Sequence, residues 1–310
     1  MTPSSLPPQI RERTVAKARI LIEALPFMQE HWGKVIVIKV GGAAMERAPF
    51  SRSFAEDVSL LQHAGIHPVI VHGGGPQVTE VSERLGLQAS FVDGVRVTDR
   101  ETLDVATMVL AGTLSTRIVG MLVAGEVPAV GLSGVDGGLA VARRQVEPDL
   151  GFVGEIVRVN AEVLRTLMTE GFVPVVASIA ADAEGHPYNV NADVMAAELA
   201  IGLEADKLVY VNDVPGVIGP GGDLLSELGV QDALDLLARA DVVGGGMIPK
   251  LESAVRALKA GVTRVHLLDG RVEHALVLEL FTPEGVGTMV TLDRDGTAAK
   301  DTADREGDAS

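Results

Sequence analysis

The stretch Pro68-Val-Ile-Val-His-Gly-Gly-Gly-Pro-Gln77 contains the signal that decides the fold of this chain. Its apolar run is typical of a β-strand, and three glycines separate that run from a helix predicted to begin near Gln77. Glycines at a strand-to-helix junction expose backbone N–H groups beside the positive end of the helix dipole, which suits an anion such as a phosphoryl group. A tight turn with only a structural role is the alternative.

Similar apolar runs recur along the chain, with helical segments between them. The runs predicted to be strands are 35–40, 68–71, 127–132, 173–179, 207–211 and 262–268. Runs that are apolar at every position suit strands covered on both faces. Their alternation with helices predicts a three-layer αβα fold with a mainly parallel, doubly wound sheet. Segment 138–159 alternates polar and apolar residues instead, which predicts an antiparallel hairpin at an edge.

The two ends of the chain differ from this pattern. Residues 11–31 have the apolar spacing of an extra N-terminal helix, which either packs on its own sheet or reaches a neighbouring subunit as an oligomerisation arm. Residues 293–310 are polar and have no apolar period, so we expect a disordered tail there.

The composition excludes several classes of function. The chain of 310 residues has a formal net charge of −16, 3% aromatic residues and no cysteine. Such an acidic balance opposes nucleic-acid binding, which depends on Lys and Arg neutralising phosphates. Without cysteine there is no disulfide, thiolate nucleophile or cysteine metal site. No apolar run approaches the roughly 18 residues of a membrane span, and residues 1–19 lack the apolar core of an export signal. We therefore expect a cytoplasmic protein with no nucleic-acid or membrane partner.

Two lysines lie next to glycine turns. Lys39 ends the first predicted strand and precedes Gly41 and Gly42, whereas Lys250 follows glycines 244–246 in the first turn of a predicted helix. Phosphoryl transfer requires such cations, because its catalysis is mostly positioning and neutralisation of charge on phosphoryl oxygens. For each lysine alone, a solvated side chain beside a structural turn is the alternative.

Polar residues near two other predicted helix starts are candidates for substrate binding. Arg96 suits bidentate capture of a carboxylate, although a surface arginine is equally common. Asn189 and Asp193 flank the start of an alanine-rich helix. They are either helix caps, or Asn189 binds the substrate through its amide while the Asp193 carboxylate orients cations. His72 is expected to be structural, because a carboxylate nucleophile is ionised at pH 7 and needs no base.

Taken in order, these motifs resemble the amino acid kinase superfamily, with its carbamate kinase-like fold, and within it the acetylglutamate kinase family. The resemblance covers about residues 20–290. The motifs that carry it are Lys39-Val-Gly-Gly42, His72-Gly-Gly-Gly-Pro76, Gly94-Val-Arg-Val-Thr-Asp99, Asn189-Val-Asn-Ala-Asp193, Asn212-Asp-Val-Pro-Gly-Val217, Gly245-Gly-Met-Ile-Pro-Lys250 and Leu268-Asp-Gly-Arg271 followed by His274-Ala275.

The resemblance implies ATP-dependent phosphorylation of the γ-carboxylate of N-acetyl-L-glutamate, a step of arginine biosynthesis. It implies ATP with Mg²⁺, no tightly bound cofactor and no metal site made by the protein itself. Lys39 and Lys250 would stabilise the transferring phosphoryl group, and Asp193 would organise both lysines. The other implied site residues are Gly74, Gly75, Arg96 and Asn189 for the substrate, the backbone of Gly41, Gly42 and Gly73 for phosphoryl oxygens, and Asp213, Val214, Gly216 and Met247 for the nucleotide.

The resemblance also implies a division of the chain and a mode of regulation. An acceptor-binding lobe would span 32–188 and an ATP-binding lobe 189–292, flanked by segments 1–31 and 293–310. The N-terminal helix resembles that of arginine-inhibited, hexameric members, so a homo-oligomer (dimer or hexamer) with an arginine effector is expected. The candidate allosteric residues are His274, Glu279 and Gly285.

Three positions depart from the pattern of the family. Ala43 replaces a frequent Asn, Ser115-Thr116 replaces a usual Asn-Lys, and Asn212 replaces a common Thr. Both lysines and Asp193 are kept, so a working kinase is expected. The alternatives are the same chemistry on acetylaspartate or acetylaminoadipate, since one methylene is worth only about 1–3 kcal/mol in a pocket, a non-catalytic arginine or nucleotide sensor, and an NAD-dependent dehydrogenase, which the missing G-x-G-x-x-G opposes.

Overall fold

The computed structural model describes residues 8–41, 48–92, 95–239 and 244–292. The strands of its main sheet are β1 (Val35–Val40), β2 (His67–His72), β5 (Ala129–Ser133), β8 (Val173–Ala177), β11 (Lys207–Asn212), β12 (Glu227–Gly229), β13 (Arg264–Asp269) and β14 (Thr288–Thr291). They form an eight-stranded sheet in the order β12-β14-β13-β11-β1-β2-β8-β5. Neighbouring strands are parallel except for β13 and β14, so the predicted mainly parallel sheet is confirmed.

The helices pack on both faces of this sheet. They are α1 (Pro8–His31), α2 (Ala48–His63), α3 (Gly75–Arg84), α4 (Arg100–Thr107), α5 (Ser115–Ala124), α6 (Glu162–Thr169), α7 (Ala192–Leu203), α8 (Val230–Leu237), α9 (Met247–Lys259) and α10 (Ala275–Phe281). Strand β1 shows why there are three layers. Its Val37 packs in one core with residues of α7 and α9, whereas Ile36 and Ile38 pack in the opposite core with α2, α5 and α10. A strand that is apolar at successive positions therefore buries both of its faces.

The predicted antiparallel hairpin is confirmed, and it lies in a second sheet outside the main one. Strands β6 (Ala140–Arg144) and β7 (Gly154–Val159) pair antiparallel. They belong to a second sheet that also contains β9 (Ile179–Ala181) and β10 (Pro187–Asn189), in the order β10-β9-β6-β7. The chain leaves the main sheet at the end of β8, and β9 then pairs with β6 and β10. A short pair, β3 (Phe91–Val92) and β4 (Val95–Arg96), forms a third sheet.

The helical segment that begins at Arg100 continues well beyond α4. A π-helix, Met108–Leu114, joins α4 to α5, so the chain stays helical over Arg100–Ala124. This run is long and apolar enough to cross a membrane, with a mean hydropathy of 1.5 in its 18-residue window, of which 44% is buried in the fold. Leu103, Leu110 and Leu122 are buried, so packing accounts for much of its apolar character.

Helix α1 packs on its own fold over only part of its length. Near its C-terminal end, Phe27 and Met28 pack against the core that contains α2 and α10. Nearer its N-terminus, the side chains of Ile20, Leu21 and Ile22 are more than 60% exposed. One end of the helix is therefore packed on its own fold, while the other presents apolar side chains to the surroundings. The predicted tail 293–310 lies outside the described residues.

Candidate active site

Two ammonium groups meet one buried carboxylate at the carboxyl end of β1. The Nζ atom of Lys39 lies 2.8 Å from Oδ1 of Asp193, and the Nζ atom of Lys250 lies 3.2 Å from Oδ2 of the same side chain. Burial raises the pKa of Asp193, but the two lysines outweigh burial and hold that pKa below its usual value. The carboxylate is therefore ionised, and the site has two positive charges for one negative charge.

Helix starts place Asp193 and Lys250. Asn191 is the N-cap of α7, and its side-chain oxygen accepts from the backbone N–H of Asp193 at 2.8 Å. The sequence left two roles open for this region, and neighbouring residues take one each: Asn191 caps the helix and Asp193 contacts the lysines. Lys250 lies in the first turn of α9, where its Nζ donates to the carbonyl of Gly246 at 2.9 Å. The partial positive charges of these helix starts add to the two lysines.

The glycine turn after β2 leads directly into α3, which begins at Gly75. At Gly74 a side chain is impossible without rearrangement, because an added Cβ would lie 2.7 Å from Leu110 of the π-helix and would also collide with Leu114. At Gly75, by contrast, an added Cβ would meet nothing within 4 Å. Gly74 thus serves the close packing of the turn, while Gly75 borders open space.

Arg96 and Asn189 approach the same space from strands of the two smaller sheets. Nη2 of Arg96 donates to the carbonyl of Gly75 at 2.9 Å and to Oγ1 of Thr79 at 2.5 Å, and its guanidinium lies 4.7 Å from the ring centre of Phe91. Among the described residues its buried Nη1 has no hydrogen-bond partner, so it is available to an anionic ligand. The amide Nδ2 of Asn189 donates to Oγ1 of Thr98 at 3.2 Å.

These groups surround one cavity of about 330 Å³, which we call the first cavity. Of the residues predicted from the sequence, its lining includes Lys39, Gly41, Gly73, Gly74, Gly75, Arg96, Asn189, Asp193, Asp213 and Lys250. Three predicted residues do not line it. Val214 is 38% exposed, and Gly216 packs against Thr288. Met247, the first residue of α9, packs against the core. Gly42 and Ala43 lie outside the described residues.

Sequence reasoning gave no role to two residues at this site. Asn212 appeared only as a departure, yet it is buried, lines the first cavity and donates to the carbonyl of Tyr210 at 3.2 Å. Its position at the carboxyl end of a parallel strand was the available signal. The hydroxyl of Tyr210, buried beneath the site, donates to the carbonyl of Asp193 at 3.2 Å. The sequence offered no signal for Tyr210, because a tyrosine within an apolar run is expected simply to pack in the core.

His72 is fully buried at the end of β2, as expected for a structural residue. Burial lowers its pKa to about 4, and its Nδ1 lies 3.1 Å from the carbonyl of Gly73. The imidazole is therefore neutral at pH 7.

A second cavity, of about 360 Å³, lies where α1, α10 and the segment before β14 meet. Glu279 and Gly285 line it, together with Lys207 and Arg264. His274 is not part of its lining. Instead, Nδ1 of His274 lies 2.7 Å from Oδ1 of Asp57, which joins the start of α10 to α2. Of the three candidate allosteric residues, Glu279 and Gly285 therefore line the second cavity, whereas His274 lies at the contact between α10 and α2.

The fold and the paired lysines are those of a small-molecule phosphotransferase. The amino acid kinase family matches residues 34–269, and the chain belongs to this family. Its curated relatives include acetylglutamate kinase of Symbiobacterium thermophilum, 48% identical over 290 residues that cover 90% of this chain and 99% of the relative. Acetylglutamate kinase of Aquifex aeolicus is 47% identical over 295 residues, with the same coverage. The predicted kinase is confirmed, and the dehydrogenase alternative is wrong.

Solved structures agree on the fold. N-acetylglutamate synthase from Neisseria gonorrhoeae, complexed with coenzyme A and N-acetyl-glutamate, matches with a TM-score of 0.80 and 28% identity over 89% of this chain. The match spans 63% of that longer chain. Carbamate kinase from Giardia lamblia matches with a TM-score of 0.60 at 16% identity, over 84% of this chain and 99% of the other, which confirms the carbamate kinase-like fold.

Proposed function

We propose that this protein transfers the γ-phosphoryl group of ATP to the γ-carboxylate of N-acetyl-L-glutamate, giving N-acetyl-L-glutamyl 5-phosphate and ADP. The observation that carries this proposal is the convergence of Lys39 and Lys250 on Asp193, in a cavity that also contains Arg96. The relatives named acetylglutamate kinase, 47–48% identical over 90% of the chain, support the choice of acceptor.

The positive charges of the first cavity explain how two anionic reactants can approach each other. An attacking carboxylate and a triphosphate are both anionic, so their approach is unfavourable unless cations lie between them. Asp193 neutralises one of the two lysines, which leaves an excess positive charge for the equatorial oxygens of the transferred group. The unpartnered Nη1 of Arg96 would bind the other carboxylate of the acceptor. The acceptor then presents its ionised γ-carboxylate in line with the phosphorus, without a general base.

ATP is the co-substrate of a kinase, and we propose that it enters with Mg²⁺. Among the described residues, the carboxylates that line the first cavity are Asp193, which is held by two lysines, and Asp213. Asp213 and the amide oxygen of Asn212 fit a cation held mainly by the phosphates of the nucleotide, since Mg²⁺ keeps oxygen ligands and few protein contacts in such sites. When bound, the ion would neutralise phosphate charge. The proposed lobes 32–188 and 189–292 would then bind the acceptor and the nucleotide, respectively.

Acyl-phosphate trapping tests the proposal. Mg-ATP is incubated with acetylglutamate, acetylaspartate, acetylaminoadipate or unacetylated glutamate in the presence of hydroxylamine, and the hydroxamate is measured beside ADP release. We expect hydroxamate with acetylglutamate and its loss in Lys250→Ala. Lys259→Ala, at the exposed end of the same helix, is the matched control and should retain activity. Hydroxamate with another acid alone would change the acceptor, and none with any acid would favour the sensor.

We also propose that arginine binds in the second cavity. This cavity offers cations for an α-carboxylate, Lys207 and Arg264, and acids for a guanidinium and an amino group, Glu279 and Glu284. Both ends of the fold line it, since Phe27 of α1 and Gly285 near β14 are both part of its lining. A ligand at this place would therefore contact the helix proposed as an oligomerisation arm.

Arginine titration tests this second proposal. We expect the initial rate to fall at millimolar arginine in the wild type, and we expect Glu279→Gln to require at least about tenfold more arginine, because one carboxylate contact is lost. Citrulline, which lacks the guanidinium charge, is the matched ligand control. A rate that does not respond to arginine would remove the proposal.

The exposed apolar side chains of α1 support a homo-oligomer, a dimer or a hexamer, in the cytoplasm. Ile20, Leu21, Ile22 and Leu25 lie on the surface of the single chain, and covering such side chains is favourable. Light scattering of the wild type and of Leu21→Glu would test this: we expect the variant to form smaller particles.

A further inference from the structure

Beneath the active site, Tyr210 is fully buried in β11. In the parallel register of β1 and β11, Tyr210 is the partner of Lys39, so both side chains leave the sheet on the same face. That face is covered by α7 and α9, the helices that carry Asp193 and Lys250. Tyr210 is therefore the residue of this strand that lies beneath all three charged groups.

The Tyr210 side chain holds one of these helices by a hydrogen bond and packs in the same core as the other. Its hydroxyl donates to the backbone carbonyl of Asp193 at 3.2 Å. Its ring shares the core with Leu251 and Ala254 of α9. Ser253 is one turn beyond Lys250 on α9, and its hydroxyl donates to the carbonyl of Pro249 at 2.6 Å. One buried phenol thus holds the first turn of α7 on the face of the sheet that α9 also covers.

We infer that Tyr210 is a positioning residue for phosphoryl transfer: its hydroxyl holds the first turn of α7, and with it places the Asp193 carboxylate between Lys39 and Lys250. This inference rests on the proposed function for its kinetic consequence, but the placement of the lysines is a property of the fold alone. The ion pair that joins α7 to α9, Glu198 with Arg256 at 2.8 Å, does not line the first cavity, and its Arg256 side chain is 60% exposed. The phenol is the contact nearest to the charges.

The consequence for catalysis is specific. Arg96 and Asn189 hold the acceptor from other elements, so removal of the phenol hydroxyl should leave substrate affinity nearly unchanged. Small displacements of catalytic charges, however, reduce the rate strongly, by up to about 100-fold for 1 Å. A loss in kcat with constant KM is the signature of an interaction that acts on the transition state.

The test is Tyr210→Phe, which removes one oxygen atom and keeps the ring. We expect kcat to fall about tenfold, with both KM values within about twofold of the wild type. Tyr188→Phe, which removes the hydroxyl that donates to Asp182 at 3.2 Å, is the matched control and should retain wild-type kcat. Ser253→Ala should lower kcat in the same direction by a smaller factor, and it provides the test if Tyr210→Phe does not fold.

A readout independent of turnover separates this inference from the proposed function. Lysines are reductively methylated with ¹³C, and the dimethylamine signals of Lys39 and Lys250 are assigned through arginine variants. We expect the Lys250 signal to shift in Tyr210→Phe and to stay in place in Tyr188→Phe. A wild type without acyl-phosphate formation would defeat the proposed function, while the lysine signals would still decide the inference. Unchanged kcat and unchanged lysine signals in Tyr210→Phe, with only a lower melting temperature, would overturn it.

Discussion

The first and second cavities each bury a carboxylate, but the partners of that carboxylate differ. Asp193 in the first cavity faces two lysine ammonium groups. Glu279 in the second accepts from Nδ1 of His266 at 2.7 Å and from the backbone N–H groups of Val286 and Gly287 at 2.7 and 3.2 Å. In the first cavity the protein supplies more positive charge than it neutralises, which suits anionic reactants. In the second, the carboxylate already holds the adjoining chain in place.

The largest effect is expected when the charge balance of the first cavity is broken. Asp193→Asn keeps the shape of the side chain but leaves two buried ammonium groups without a carboxylate. Breaking a buried pair by removing one partner costs about 3–5 kcal/mol of stability. We expect such a loss in urea unfolding, together with kcat lowered by more than about 100-fold because both lysines move. A variant as stable as the wild type would show that the lysines are solvated.

Removing one cation should cost less. Lys39→Ala takes away one of the groups that would stabilise the transferred phosphoryl group, for which single charged or donor groups contribute about 10²–10³ in rate. We therefore expect kcat to fall by that factor, measured as ADP release at saturating substrates. Lys34→Ala, an exposed residue just before the same strand, is the control and should keep the wild-type rate. A drop of less than about threefold in Lys39→Ala would contradict the role of the ammonium group.

The glycine turn offers a comparison within the first cavity. Gly74→Ala places a methyl group 2.7 Å from Leu110, so we expect about 1–3 kcal/mol of destabilisation from overpacking. Gly75→Ala meets no atom within 4 Å and should unfold at nearly the wild-type urea concentration, whatever its effect on binding. Equal stability of the two variants would mean that the π-helix yields to the added methyl group.

The smallest effect concerns the contact between Asp57 of α2 and His274 at the start of α10. Burial raises the pKa of Asp57 to about 6, although the His274 hydrogen bond opposes this shift. The hydrogen bond to Asp57 raises the pKa of His274. A group whose pKa is higher in the folded state stabilises the fold at low pH, and this contribution is lost as the pH rises through the folded pKa.

We therefore expect the free energy of unfolding to decrease by about 1 kcal/mol between pH 5 and pH 7 because of Asp57. In Asp57→Asn this part of the pH dependence should disappear, as measured by urea unfolding at both pH values. His63→Gln, at the exposed end of the same helix, is the control. An identical pH dependence in the wild type and in Asp57→Asn would show that Asp57 keeps an ordinary pKa.

The strands and the glycine turns were predictable, because they depend on local patterns. Apolar runs such as 35–40 predict buried strands without knowledge of their neighbours, and that prediction is confirmed for β1. The limits of pattern reasoning appear at Ser178, where one apolar run, 173–179, divides between β8 and β9 and serves two different sheets. Ser178 is polar, but a single serine does not mark a change of sheet, since the division depends on which strand is available for pairing.

Prediction of the candidate site from local sequence patterns has the same limit. Its glycines and lysines were found from their spacing to strands and helices, and Asp193 from a helix start. His274 was assigned to an effector site, but the structure places it beside Asp57, 217 positions earlier in the chain. The role of Tyr210 was not predictable either, because it depends on the register that pairs it with Lys39.

By itself, the sequence determined the mainly parallel α/β class, the glycine turns and the pair of lysines beside such turns, since each follows from local composition and from the periods of strands and helices. Only the tertiary structure decided that both lysines share one carboxylate, that a phenol lies beneath them and that the two ends of the fold line a second cavity. The physical reason is that burial and strand register bring together residues that lie far apart in the chain, and no local pattern encodes those partners.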